Sequence, residues 1–277
     1  MMRTLVILSG LAVLAIAGTA LFVYSGVYNV AATRQHTAPV YWILETAMRR
    51  SVLRRVQEIE VPPLTERATI ERGLRLYHPN CVPCHGAPGI APEGFGLAMM
   101  PVPANLALTA REWQPAEVYW VVKHGIKTSG MPAWEFRLAD TDLWAIVAFV
   151  ATLPTLSPQE YRDRARAIAP LVAADAAPPA SGADRGDAER GKVALQQYAC
   201  VACHVIPGVV GANKTVGPSL AGIASRKYLA GVIPNGPDNM IRWLRFPQQI
   251  APQSAMPDLG VAERDARDMA MFLETLK

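Results

Sequence analysis

Two short segments of the chain hold the side chains with the greatest chemical capacity. Cys81-Val82-Pro83-Cys84-His85 and Cys200-Val201-Ala202-Cys203-His204 share the pattern Cys-x-x-Cys-His and contain all four cysteines. Two thiols about one helical turn apart can form thioethers with the two vinyl groups of a haem, and the adjacent histidine then lies beneath the iron. The pattern predicts two covalently bound haem c groups, with His85 and His204 as proximal axial ligands.

Zinc and redox chemistry are the rival interpretations of these cysteines. A zinc site would need two further ligands at each motif, and the chain has only five histidines. A redox Cys-x-x-Cys of the thioredoxin type belongs to a βαβ context, and no segment shows strand alternation. Haem attachment uses Cys81, Cys84, Cys200 and Cys203, so no disulfide is predicted.

A methionine downstream of each motif is the candidate sixth ligand of the iron. Met131 and Met256 each precede a proline, in a loop before the last helix of their unit. A Met/His pair raises the potential of a haem and closes its iron to substrate, which predicts electron transfer rather than oxygen or peroxide chemistry. Other side chains that compete for the two irons are Met99, Met100, His124 and Met240.

The elements that position these ligands occur twice. A helix precedes each motif, roughly over Thr69–Tyr77 and Asp187–Tyr198, and Gly73 and Gly191 lie inside these helices, where glycine costs stability. We therefore predict that the first and last helices of each unit cross at the glycines. The last helices have apolar residues three and four apart, namely Leu143, Ile146, Val147 and Val150, then Met269, Phe272, Leu273 and Leu276.

An apolar run opens the chain. No charge occurs between Arg3 and Arg34, and residues 5–23 are almost entirely apolar. A helix of that length rises about 28 Å, close to the roughly 30 Å of bilayer hydrocarbon. This predicts a transmembrane anchor within residues 1–30. A cleaved signal peptide, with Ala15-Ile16-Ala17 as the small-residue site, is the alternative.

Residues 31–63 are predicted to form a membrane-proximal amphipathic helix and a connector. Thr37 and Pro39 suit its start. The helix either packs on the first domain or lies on the membrane surface or against a partner subunit, with Tyr41 and Trp42 at the interface. The apolar residues that oppose an arginine-rich face are Tyr41, Ile43, Leu44 and Met48.

Composition excludes several classes of protein. Of 277 residues, 51% are hydrophobic and 18% charged, which is too apolar for a disordered chain and too polar for a polytopic membrane protein. A net charge of +4 gives no dense basic face, so no nucleic-acid partner is predicted. We predict an all-α fold with a domain over residues 64–160, a linker over 161–186 and a second domain over 187–277.

The repeated units resemble class I cytochromes c. In the second, Gly217-Pro218-Ser219-Leu220, then Gly222 and Arg226, follow the family's Gly-Pro-x-Leu-x-Gly-x-x-x-Arg. The resemblance implies that the Pro218 carbonyl accepts a hydrogen bond from His204 Nδ1–H, and that Arg226 lies near a haem propionate. It also implies that Trp243 packs over the haem, with an ordinary core position as the alternative.

The first unit is similar, over residues 125–134, to the axial loop of bacterial cytochromes in terminal oxidases and dehydrogenases. This similarity implies that Met131 is axial and that Trp134 contacts the haem. Pro103-Ala104-Asn105-Leu106 takes the place of the Gly-Pro-x-Leu segment, without its glycine and farther along the chain from the histidine. By analogy, the Pro103 carbonyl is the expected acceptor for His85.

The layout of the whole chain resembles membrane-anchored dihaem oxidase subunits. It implies an electron carrier rather than an enzyme, acting in a bacterial respiratory chain as donor to, or subunit of, a haem–copper terminal oxidase. A cytochrome that relays electrons from a periplasmic dehydrogenase, and a dihaem peroxidase, are the alternatives. Haem c is attached outside the cytoplasm, so both domains are expected on the periplasmic side of the inner membrane. The arginines that follow the anchor would by themselves favour the opposite orientation.

Overall fold

The computed structural model describes residues 2–127, 129–175 and 186–277. The chain divides into two compact units, residues 1–176 and 177–277. Helix accounts for 58% of the structure and strand for 3%, which confirms the predicted all-α class.

The first unit begins with an apolar helix and continues as a helical domain. Its helices are α1 (Met2–Ser25), α2 (Ala38–Arg55), α3 (Arg67–Asn80), α4 (Val82–His85), α5 (Gly94–Leu97), α6 (Leu106–Glu112), α7 (Pro115–His124), α8 (Asp140–Val150) and α9 (Pro158–Asp175), with 3-10 turns at Trp134–Phe136 and Leu153–Thr155. Helix α8 lies at the centre of this domain, and its predicted periodic residues are all at most 2% exposed.

The second unit repeats this plan on a smaller scale. Its elements are a 3-10 turn at Cys200–Ala202 after α10 (Ala188–Gln197), a 3-10 turn at Ile223–Ser225, strands β1 (Tyr228–Leu229) and β2 (Ile233–Pro234), and helices α11 (Pro237–Arg245), α12 (Pro247–Ile250) and α13 (Glu263–Leu273). The two strands form a short antiparallel hairpin that the sequence did not predict. Ala230 and Gly231 have positive φ at its turn, a conformation typical of tight hairpins.

The helix crossings predicted at two glycines are confirmed. A Cβ added to Gly73 of α3 would lie 1.9 Å from the carbonyl oxygen of Ala145 in α8. A Cβ added to Gly191 of α10 would lie 1.9 Å from the carbonyl oxygen of Asp268 in α13. Only glycine allows the two backbones to approach so closely, and the stability it costs within a helix is offset by that packing.

The first unit extends farther along the chain than expected. Residues 161–175 of the predicted linker belong to helix α9, while residues 176–185 lie outside the described part of the chain. Tyr161, Ala165 and Ile168 recur at helical spacing and are buried in the core of the first unit. The apolar residues of α9 are few and lie between alanines and charged residues in the sequence. This explains why the segment was predicted as a linker although it forms a helix with one apolar face.

Helix α1 is long and apolar enough to cross a membrane. It has 24 residues and a mean hydropathy of 2.5, and none of its described side chains is buried. Its length corresponds to about 36 Å at 1.5 Å per residue. The helix is therefore suited to a membrane anchor.

Candidate functional site

The first Cys-x-x-Cys-His motif is shaped by a helix end. Cys81 caps the C-terminus of α3, and the backbone N–H groups of Cys84 and His85 bond to its carbonyl oxygen at 3.2 and 2.8 Å. The motif is therefore a single helical turn, which brings both thiols and the imidazole to one side of the chain. Gly86 follows at φ +65°, and its carbonyl accepts a hydrogen bond from the buried Tyr77 hydroxyl at 2.8 Å.

The second motif has the same local form. Ala199 adopts a left-handed conformation at φ 55°, and the chain then turns so that His204 N–H bonds to the Cys200 carbonyl at 3.0 Å. Cys200 and Val201 pack at the edge of the second core. Both motifs therefore present two thiols and one imidazole from a single turn of backbone.

Burial favours the neutral form of three thiols, those of Cys81, Cys84 and Cys200. It raises the pKa of Cys81 to about 12 and that of Cys200 to about 11, and the pKa of Cys84 is raised mainly by the same cause. A redox cysteine instead needs a depressed pKa, since the thiolate is the reactive form. Among the described residues, no three His, Cys, Asp or Glu side chains gather as a metal site. Neither motif therefore has the further ligands of a zinc site beside it in the described part of the chain.

Each imidazole is oriented by a backbone carbonyl. His204 Nδ1 lies 2.7 Å from the Pro218 carbonyl oxygen, as the resemblance implies. His85 Nδ1 lies 2.7 Å from the carbonyl oxygen of Ala104, not of Pro103. A carbonyl accepts only, so both rings carry the proton on Nδ1 and leave Nε2 free as a ligand. This places the proton and lone pair where an iron ligand requires them.

The shift from Pro103 to Ala104 corrects the expectation for the first unit. This segment is longer and lacks the glycine, so its carbonyls arrive in a different register from those around Pro218. Asn105, the next residue, caps helix α6 by accepting from the N–H groups of Ala107 and Leu108 at 3.0 and 3.2 Å. The N-terminus of α6 therefore positions the Ala104 carbonyl. Burial lowers the pKa of His85, against the effect of this hydrogen bond, and so favours the neutral ring.

The backbone of Gly217 lies in close contact with the imidazole of His204. A Cβ at this position would lie 2.5 Å from Cε1 of His204 and 2.8 Å from its Nδ1. Gly217 N–H also bonds to the Cys203 carbonyl at 2.8 Å. The glycine of the Gly-Pro-x-Leu segment is therefore required by contact with the ring, a role that the sequence pattern alone did not reveal.

Arg226 is held beside this segment. Its guanidinium donates hydrogen bonds to the carbonyl oxygens of Ser219 and Ala221, just beyond Pro218. Asn235 in turn donates to the Arg226 carbonyl at 2.9 Å. The cation is thus fixed close to the histidine-orienting loop, where it can meet an anionic group.

The two candidate methionine ligands lie in loops with a shared turn. The N–H of Met131 donates to Ser129 Oγ at 3.2 Å, and the N–H of Met256 donates to Ser254 Oγ at 3.1 Å. Both thioethers are partly buried against the core of their unit. The repeated Ser-x-Met-Pro, visible in the sequence, is the signal that would have identified these serines.

The loop before Met131 is closed on itself. Ile126 N–H bonds to the Met131 carbonyl at 3.2 Å, and Gly125 has φ +66° with no room for a Cβ beside that carbonyl. In the second unit, Gln248 donates to the Met256 carbonyl. Trp134 and Trp243 are partly buried against their respective cores. Each methionine is therefore presented by a constrained loop.

Two of the competing ligands, Met240 and His124, have other contacts. Met240 is a core residue, 4% exposed. His124 Nδ1 lies 3.3 Å from Glu135 Oε1, and its ring contacts Trp120. His78 and His36, which had no predicted haem role, lie at hydrogen-bond distance from the hydroxyls of Tyr161 and Tyr28. Met99 is different, because its sulfur lies against Gly130, next to Met131.

Comparisons with known proteins identify both units. Residues 68–150 match the family model described as "Cytochrome C oxidase, cbb3-type, subunit III", and residues 188–277 match "Cytochrome c". The chain carries two cytochrome c-type domains in tandem. The cytochrome c domains imply covalently bound haem c and an electron-carrier function, and the apolar helix α1 is suited to anchor them in a membrane.

A curated relative is similar over a shorter stretch. "Cytochrome c oxidase subunit 2" of Alkalihalophilus pseudofirmus is 28% identical over 91 residues, which is 32% of this chain and 26% of that protein. The chain thus spans about a quarter of the length of the relative it matches. No solved structure matches the chain.

Proposed function

We propose that the chain is a membrane-anchored dihaem cytochrome c that transfers electrons in a bacterial respiratory chain. The observation that carries the proposal is the pair of imidazoles, each joined to two thiols by one turn of backbone and oriented by a carbonyl at 2.7 Å. This donor set fits haem c in both domains. A bound haem c supplies reversible one-electron exchange at its iron.

The residues of each domain would hold and tune a bound haem. Cys81 and Cys84 would attach the first haem, and His85 and Met131 would hold its iron. Cys200 and Cys203 would attach the second, and His204 and Met256 would hold its iron. A methionine ligand favours the reduced iron and so raises the potential. Arg226 would balance propionate charge, and Pro218 fixes the His204 ring, while Trp134 and Trp243 would exclude water from the haems.

The number of haems is the direct test. Alkaline pyridine spectra of the intact protein, referred to chain concentration, are expected to give two haem c groups per chain. The variant Cys200→Ser/Cys203→Ser is expected to retain one haem, and Cys81→Ser/Cys84→Ser is its matched counterpart. One haem or none in the unsubstituted protein would contradict the proposal.

A haem–copper terminal oxidase is the proposed partner, with the chain as its donor or subunit. The cbb3-type model over the first domain and the oxidase subunit among its relatives support this choice. Gentle solubilisation of membranes, followed by purification through a tag on this chain, is expected to retain a copper-containing oxidase. Retention of a cofactor-bearing dehydrogenase instead would favour the relay function.

The proposed location is the bacterial inner membrane, with a single span and both haem domains in the periplasm. Attachment of haem c outside the cytoplasm supports this orientation over the one that the arginines after α1 would favour. Protease added to intact spheroplasts is expected to remove both haem-bearing domains. Complete protection of both domains would reverse the orientation.

A further inference from the structure

The helix that follows the anchor has an unusual distribution of apolar residues. The sequence predicted that α2 is amphipathic, with apolar and charged residues on opposite faces. The apolar and charged residues of α2 are instead separated along the length of the helix. Residues 38–44, here called the apolar collar, contain no charge, and the arginines of the helix all lie beyond them. The two halves of α2 therefore require different surroundings.

The C-terminal half of α2 is fixed to the first haem domain. Val52 is 1% exposed. Arg49 donates to the carboxylate of the buried Glu117 in α7 at 3.1 Å, and its guanidinium lies 4.1 Å from the centre of the Trp113 ring. Glu117 also accepts from Gln114 N–H at 2.7 Å in a capping box. This half is thus a structural part of the domain.

Four consecutive residues of the apolar collar are exposed, and Val40 before them is half-buried. Tyr41, Trp42, Ile43 and Leu44 are 57%, 66%, 55% and 46% exposed. Four consecutive helical residues, about 100° apart, point around roughly 300° of the helix. A protein groove receives one face of a helix, through residues three and four apart. A helix end that is apolar on all sides is instead suited to a lipid environment.

The connector holds the collar close to the end of the anchor. The Tyr28 hydroxyl lies 2.7 Å from Nδ1 of His36, immediately before α2. The Tyr28 ring also contacts Phe22 in the last turns of α1, with centroids 6.4 Å apart. Phe22, Tyr28 and His36 therefore link the C-terminal end of α1 to the start of α2. If α1 spans the bilayer, α2 begins at the membrane surface.

The size and chemistry of the collar fit the interfacial zone of a bilayer. Seven helical residues rise about 10 Å, far less than the roughly 30 Å needed to span but close to the depth at which interfacial helices are buried. Tyr and Trp are the residues that favour this zone. The exposed Arg50 and Arg54 follow within three turns, where they can meet lipid phosphates.

We propose that the apolar collar inserts into the lipid interface beside the anchor and thereby holds the first haem domain against the membrane. This inference rests on the proposed membrane anchor. Because α2 is clamped to α7 through Arg49 and Glu117, the collar is a second attachment that limits rotation of the domain about the end of α1. The occupant of this surface is lipid, not a second protein.

Photolabelling of the full-length protein tests the proposal. The protein is placed in vesicles of phosphatidylcholine that carries a diazirine in its acyl chain, irradiated and digested with trypsin. Cleavage after arginine separates the anchor (residues 4–34) from the collar (35–49) and from an aqueous control (56–67). Lipid adducts are expected on the first two peptides and not on the third.

A matched pair of variants sharpens the test. Leu44→Glu is expected to reduce adducts on residues 35–49 several-fold and leave those on 4–34 unchanged. Val61→Glu, at a side chain that is 45% exposed like Leu44 at 46%, is expected to change neither. Haem content, equal in both variants, shows that the domain is folded.

The outcomes separate the collar from the anchor. Adducts on residues 4–34 alone overturn the collar and leave the anchor intact. Adducts on neither peptide overturn both, and adducts on 35–49 without 4–34 support the collar while removing the anchor. An equal effect of Leu44→Glu and Val61→Glu also overturns the proposal.

Discussion

Both candidate histidine ligands are oriented by neutral backbone carbonyls. A carbonyl acceptor selects the Nδ1–H tautomer without placing a full negative charge beside the iron, which favours the reduced state relative to a carboxylate acceptor. It also cannot be removed by a side-chain substitution at Pro218 or Ala104. The orientation of His204 is therefore most vulnerable at Gly217, where a side chain would displace the ring.

Gly217→Ala tests this contact. The added Cβ would lie 2.5 Å from His204 Cε1, so the variant is expected to destabilise the second domain by about 1–3 kcal/mol. The displaced ring should also weaken the methionine–iron absorption band of the second haem. Denaturation followed at each haem, with visible spectra, measures both effects. The control is Gly236→Ala, where φ is extended and no described atom lies within 4 Å of the new Cβ. Equal losses in the two variants would refute the argument.

Crossed helices give each domain its frame. In both domains the helix before the haem motif meets the last helix at a glycine, which sets the position of the first cysteine relative to the core. In the second domain an ionic clamp reinforces the crossing. Asp268 of α13 is 2% exposed and accepts from Asp187 N–H at 2.6 Å and Arg190 Nε at 2.8 Å.

The close crossing of α3 and α8 predicts that one added methyl group strongly lowers the stability of the first domain. Gly73→Ala is expected to destabilise the first domain by about 3 kcal/mol or more, because the Cβ would lie 1.9 Å from a backbone oxygen that cannot move freely. Gly94→Ala, in helix α5, meets no described atom within 4 Å. It is expected to be neutral or slightly stabilising. Guanidinium denaturation followed at the first haem measures the difference, and similar midpoints would contradict the crossing model.

The ion pair between Arg190 and Asp268 gives a second prediction about the crossed helices. Asp268→Asn is expected to destabilise the second domain by about 3 kcal/mol, because the side chain of Arg190 loses a buried charged partner. Glu71→Gln, which removes the exposed ion pair with Arg67, is expected to change stability little. Thermal unfolding of each domain distinguishes the two. A small effect of Asp268→Asn would show that the clamp adds little to the packing.

At the scale of the whole molecule, the two candidate haem sites have separate sets of ligands. Each domain has its own core, imidazole-orienting carbonyl and Ser-x-Met-Pro loop, all within its own compact unit. The potentials of haems bound at these two sites would therefore be tuned independently. The ion pair between Arg49 of α2 and Glu117 of α7 fixes α2, and with it the connection to the anchor, to the first domain.

Substitution of one axial ligand should therefore change one potential. Met256→His is expected to lower the potential of the second haem and leave the first unchanged, because a second imidazole favours the oxidised iron more than a thioether does. Met131→His is expected to lower the potential of the first haem and leave that of the second unchanged. Met240→Leu, at a buried core methionine, should shift neither. Spectroelectrochemical titration of the intact protein checks all three, and a shift from Met240→Leu alone would reassign the second ligand.

Features encoded within a few consecutive residues were predictable. The haem motifs need only one turn of backbone, and the crossing glycines and periodic residues of α8 need only helical geometry. The apolar run of α1 is a property of composition. In each case the signal lies within a few consecutive residues or one helical period, although the contact itself, as between Gly73 and Ala145, can join distant segments.

Contacts between distant segments depended on the folded chain. The acceptor for His85 is the Ala104 carbonyl because the cap of α6 sets the path of that loop, which no motif encodes. Helix α9 packs on the core of the first unit, although its sequence is typical of a linker. Its three buried residues at helical spacing contact a surface that other helices form. The division of α2 into a fixed half and an exposed apolar collar likewise emerged only with α7 in place. Burial is a relation between segments, and tertiary structure alone determines which segments meet.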